Sequence, residues 1–113
     1  MTRVYVPATL ADLRSYLEAG SVPAEAERFV AADEDEESEY DALLAAADAS
    51  AALLAGPGRR VVVVGEVADP DAAVDWSRVQ AVHADPAEVD PTASGLPDPG
   101  WYATQEIANL LAD

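Results

Sequence analysis

The hydrophobic pattern begins with a period of two. Val4 and Val6 alternate with Arg3 and Tyr5, which predicts a strand over Arg3–Ala8 whose further pairing is limited by Pro7. The period then lengthens. Leu10, Leu13 and Leu17 share a helical face flanked by Tyr16, with Thr9 as N-cap, Asp12 at the reciprocal capping position and Gly20 as a left-handed exit. Residues 22–32 read two ways. Pro23 suits the first turn of a helix, whereas Phe29 and Val30 favour a strand over Glu27–Ala32; the strand is the better reading.

Seven acids crowd the nine residues Asp33–Asp41, after which polarity falls. Tyr40, Leu43, Leu44, Ala47, Ala51 and Leu54 then recur at helical spacing. A helix over Glu36–Ala55 would span about 30 Å and stop at Gly56-Pro57-Gly58. The valine run in Arg60–Val67 predicts a central strand apolar on both faces, with Gly65 marking a bulge or a close approach. Asp69-Pro70-Asp71 is a turn, and Trp76 is a packing anchor at the approach to a strand over Arg78–Ala84. Strict alternation there puts Val79, Ala81 and His83 on one face and Gln80, Val82 and Ala84 on the other. A proline-rich loop, mobile or draped on the surface, fills 85–100. After Trp101-Tyr102-Ala103, Thr104 is placed to cap a short helix carrying Ile107, Leu110 and Leu111.

The expected fold is one α+β domain over residues 1–113, a small two-layer α/β sandwich. Its mixed sheet has βαβαββ-α order, with two helices over one face as the simplest packing. The order is one strand short of βαββαβ and suits a ferredoxin-like variant.

Composition narrows the chemistry. With no cysteine, disulfides, Cys-ligated zinc, iron–sulfur centres and thiol catalysis are excluded. A net charge of -16, with six arginines and no lysine, works against nucleic acid and anionic membrane and favours basic partners or cations. The N-terminus lacks the apolar core of a secretory signal. The valine run Val61–Val64 is far short of a bilayer span. A cytoplasmic location is expected.

Three groups of polar residues could carry function. Glu36, Glu37 and Asp41 share the start of the acidic helix, where a hard divalent cation would relieve their repulsion. Ser38 and Leu44 stand where an EF-hand loop beginning at Asp33 needs Gly and Glu. His83, the only histidine, lies near Asp85, and contact between them requires a bent strand end. Trp101, Tyr102, Gln105 and Glu106 form the densest polar–aromatic cluster, which either anchors the last helix or contacts a ligand. No GxSxG, GxGxxG, Walker-type or HExxH pattern occurs. No cofactor is expected.

The strings Val4-Tyr5-Val6-Pro7-Ala8-Thr9, Glu37-Ser38-Glu39-Tyr40, Val82-His83-Ala84-Asp85 and Trp101-Tyr102-Ala103-Thr104-Gln105-Glu106-Ile107 resemble an uncharacterised family of small acidic actinobacterial proteins ending in a WYATQEI-like motif. The resemblance implies a cytoplasmic protein from an acid-rich, high-GC lineage. It supplies no activity and no catalytic residue.

The leading expectation is a non-catalytic domain that acts through protein contacts, with self-association as a homodimer, using Trp101, Tyr102, Gln105, Glu106 and Tyr40. The alternative is a small enzyme or polar-ligand module in which His83 is the acid–base group, Glu106 or Asp85 its carboxylate and Tyr102 a hydrogen-bond donor. A third expectation is divalent-cation binding by Glu36, Glu37 and Asp41.

Overall fold

The structure, a computed structural model, describes residues 1–112. Strand β1 (Thr2–Ala8) leads into helix α1 (Leu10–Ala19). Thr9 accepts the Asp12 N–H at 3.0 Å, and Asp12 accepts the Thr9 N–H at 3.1 Å. This reciprocal cap satisfies two amides that helix geometry leaves unpaired. Gly20 ends the helix at φ 77°, a left-handed conformation a side chain would resist.

The stretch that read two ways contains strand β3 (Phe29–Val30), shorter than expected, preceded by an unforeseen strand β2 (Ser21–Val22). Helix α2 (Glu36–Leu53) follows, capped by Asp35. Strand β4 (Val61–Val67) is central, β5 (Val74–Asp75) pairs with β2, and β6 (Val79–Ala84) follows a 3-10 turn at Trp76–Arg78. Strand β7 (Gly100–Ala103) and a 3-10 turn at Thr104–Glu106 precede helix α3 (Ile107–Ala112).

The result is an α+β sandwich with alternating helices and strands, as expected. Its main sheet has the order β3-β1-β4-β6-β7, beside a small β2-β5 pair. Every ladder is antiparallel, where a mixed sheet was expected. The reason lies in the crossover. Strands β3 and β4 both run antiparallel to β1 and hence parallel to each other, but β1 sits between them. The strand–helix–strand unit is therefore split, and its two parallel strands never touch. A ferredoxin-like sheet would carry two such units.

Two helices share a face, as expected, but they are α1 and α3, with α2 on the other. Val4, Val6 and Ala8 of β1, Val61 and Val63 of β4, and Val82 and Ala84 of β6 pack with Leu13 of α1 and Ile107 and Leu110 of α3. On the opposite face Tyr5, Val62 and Val64 pack against Ala42, Leu43, Ala46 and Ala47 of α2. The valine run of β4 is thus buried from both sides, which is why its pattern is continuous rather than alternating.

At Gly65 the β4–β6 register shifts, so Val64 pairs with Ala81 but Gly65 with Val79. Gln80 is the extra residue of this bulge. Val79 therefore joins Val82 in the α1-side core, while Ala81 and His83 face the α2 side, a correction to the strict alternation. Both readings of Gly65 hold, since an added Cβ would lie 2.9 Å from Val74 Cγ1 and 3.3 Å from the Arg78 carbonyl.

The proline-rich loop is draped and tied. Gly58 and Val89 exchange two backbone hydrogen bonds at 3.1 and 2.8 Å. Tyr40 donates its hydroxyl to Asp98 at 2.7 Å. Asp85, at 1% exposure, forms a buried pair with Arg60, at 5%.

Candidate functional site

Helix α2 covers β3, β1 and β4 but stops short of β6 and β7. On this side β6 presents Ala81 and His83, and β7 presents Trp101 directly opposite His83. The uncovered strip and the flank of α2 enclose a cleft of about 430 Å³. Val64, Ala81 and His83 form its floor, Tyr40 and Leu43 one wall, and Trp101 the other. Trp101 is 63% exposed and Tyr40 43%, unusual for aromatic side chains on regular elements.

Arg3, whose position on β1 puts it on the Tyr5 face, closes one end. Its guanidinium donates to Glu39 at 3.2 Å and to Glu66 at 2.9 Å. The bond to Glu66 raises the Arg3 pKa further, so this group stays cationic. At the other end, the bond to Asp98 raises the Tyr40 pKa, because the carboxylate stabilises the neutral phenol. Burial lowers the His83 pKa from its ordinary 6.5, and a hydrogen-bonding contact with the Pro99 backbone works in the opposite direction. Burial thus disfavours the charged form of His83.

The expected acid–base grouping does not assemble. Both oxygens of Asp85 are occupied by Arg60: Oδ2 accepts the backbone N–H at 2.8 Å and Nε at 2.9 Å, and Oδ1 accepts Nη2 at 2.7 Å. No bend brings Asp85 back to His83; its backbone N–H donates to the Arg60 carbonyl at 3.1 Å, so it continues beside Arg60 of the neighbouring strand. Tyr102 points to the opposite face, packed against the α1-side core. Glu106 accepts the Ala103 N–H at 3.0 Å, making it the cap of the last turn in place of Thr104. Gln105 is exposed. Tyr102 and Glu106 line a separate small recess with Arg59 and Asn109. His83, Trp101 and Tyr40 are thus brought together, while Asp85, Tyr102 and Glu106 are parted from them.

The divalent-cation grouping fares no better. Glu36, Glu37 and Asp41 are all exposed. Among the described residues no three His, Cys, Asp or Glu side chains are placed to hold a metal ion. Helical spacing alone fans the carboxylates outward on the solvent side of α2.

Sequence reasoning missed Arg3, Asp98 and Gln80 as neighbours of the cleft. Arg3 had left a trace, sharing a β1 face with Tyr5. Asp98 lies in a loop and Gln80 in a bulge, where no periodicity exists to read.

The sheet margin beside the cleft has its own chemistry. Because the Ala103 N–H points outward to Glu106, alternation turns the Trp101 amide outward as well. One step back stands Pro99, which has no N–H. The margin is closed at both ends, leaving one outward amide in the middle, a recognised protection against strand addition.

A family model described as a family of unknown function (DUF6912) matches residues 2–111, and the chain belongs to that family. Neither the curated proteins nor the solved structures yield a match to it. Among the described residues no helix is long and apolar enough to cross a membrane.

Proposed function

We propose that this domain is a non-catalytic interaction module whose contact surface is the cleft between α2 and β7. The observation that carries this reading is Trp101, 63% exposed on a strand at the sheet margin. Leaving an indole in water forgoes roughly 2 kcal/mol or more of burial. Buried against a partner, such an aromatic becomes a typical anchor of an interface. The composition of the cleft supports docking over chemistry. Its one imidazole has no carboxylate to orient it, and the carboxylate of Glu39 is paired with Arg3. Ser and Thr hydroxyls are absent from its lining.

The partner is a polypeptide, with a second copy of this chain as one form of it. The setting in this reading is the cytoplasm of an actinobacterium, supported by the use of arginine without lysine and by the acidic composition.

A photo-crosslinking residue placed at position 101 tests the proposal in cells, with Ser15 on the exposed side of α1 as the control site. Crosslinks to a defined protein from position 101 and none from position 15 are the expected result. Equal labelling from both sites, or none from either, overturns it. Mass in solution then tells whether the captured protein is another copy.

A further inference from the structure

The charge around the cleft says what kind of polypeptide it takes. Arg3 is the one guanidinium in the lining, and it faces two carboxylates, Glu39 and Glu66. Asp98 adds a third, held at the rim by Tyr40. Glu36, Glu37 and Asp41 extend the negative field along the same end of α2, within a chain of net charge -16. His83, whose charged form burial disfavours, adds little opposing charge. The exposed rings of Trp101 and Tyr40 carry negative quadrupole faces, which attract cations electrostatically.

From these features we infer that the cleft accepts an arginine or lysine side chain from a basic segment of a different protein, seated between Trp101 and Tyr40. Arginine suits the site better, because its planar guanidinium stacks on an indole and pairs with a carboxylate at the same time. A second copy is disfavoured as the occupant, since two chains of charge -16 repel. The margin between Pro99 and Ala103 offers only the Trp101 amide as a free backbone donor, so the contact rests mainly on side chains in the cleft. This inference rests on the cleft being a docking surface, but the two can fail separately.

The test uses the whole chain and two synthetic octapeptides, one alternating Arg and Thr and the other alternating citrulline and Thr. Citrulline keeps the shape of arginine and removes its charge. The arginine peptide is expected to bind, to shift the amide and ring resonances of Trp101, Tyr40 and His83, and to weaken as salt rises. The citrulline peptide is expected to bind at least about tenfold more weakly. Trp101→Ala, which leaves every charge in place, is expected to cost about tenfold in affinity for the arginine peptide, and Trp101→Phe is expected to keep most of it. An undisturbed amide spectrum confirms that each variant is folded.

If Trp101→Ala binds the arginine peptide as tightly as the parent chain, the attraction is diffuse and the inference is overturned. Equal binding of the two peptides also overturns it, as does absence of binding by either. In each case crosslinking at position 101 would leave the docking surface itself standing. A stable dimer that buries Trp101 overturns the choice of a foreign partner.

Discussion

Where β4 begins, three donors of Arg60 meet both oxygens of Asp85, and the same guanidinium also donates to the Pro97 carbonyl. Neither charge has water to fall back on, so the value of the arrangement lies in completeness. Removing one partner strands the other, at a typical cost of about 3–5 kcal/mol. Asp85→Asn is therefore expected to lower unfolding stability by about that amount in urea titration. Replacing both residues together with apolar ones of similar volume should restore most of the loss. A single-variant loss below about 1 kcal/mol would mean that the pair is solvated and weak. The pairing was not legible in the sequence. Asp85 stands two places from His83 and invites a local partnership, whereas its real partner is 25 residues away. Local spacing reports faces and periods; it carries no information on a contact closed by the sheet.

Among the elements, α2 shows what periodicity captures and what it leaves out. Its extent is close to the expected one, because the acidic start and the Gly-Pro-Gly stop are local signals. Its buried stripe is partly rotated. Of the expected face, Tyr40, Leu43, Leu44, Ala47, Ala51 and Leu54, the helix buries Leu43 and Ala47, and it adds Ala42, Ala46 and Ser50 in place of the rest. Small residues let the helix axis settle close to the valine surface, so size outweighed hydrophobicity, and Tyr40 was left at the cleft. Ser50 completes the seating. Its buried hydroxyl donates to the Ala8 carbonyl at 2.7 Å and accepts the Val61 N–H at 2.8 Å, linking the end of β1 to the start of β4. Ser50→Ala slightly raises the helix propensity but leaves that carbonyl and amide unpaired. A loss of about 1–3 kcal/mol is expected, seen as a lower denaturant midpoint with an unchanged slope. A midpoint unchanged within error would show that water replaces the hydroxyl.

For the molecule as a whole, charge and topology set the behaviour. The fold measures 35 × 31 × 23 Å, comparable to a screening length of about 30 Å at 0.01 M salt. Nearly every carboxylate then feels the others, and the folded state carries more of this repulsion than an expanded chain does. Raising sodium chloride from about 0.01 to 0.15 M, where screening shortens to about 8 Å, is expected to raise the thermal midpoint. A fall would mean that attractive pairs such as Arg3–Glu39 outweigh the repulsion. At this scale α1, α2, β1, β4 and β6 were legible one by one, through Thr9, Gly20, Gly65 and the valine run, whereas β2, β5 and β7 were not foreseen. Their assembly was not, because the insertion of β1 between β3 and β4 depends on pairings distant in sequence. The site was half legible for the same reason: Trp101, Tyr40 and His83 were each conspicuous, but Tyr102 and Glu106 were grouped with them by proximity along a chain that the sheet sorts onto two sides. The stoppered rim of β7 bears on life at high concentration. A ribbon that offers neighbours a single amide cannot recruit copies of itself into a growing stack, so the indole can stand open to a visitor without seeding fibres.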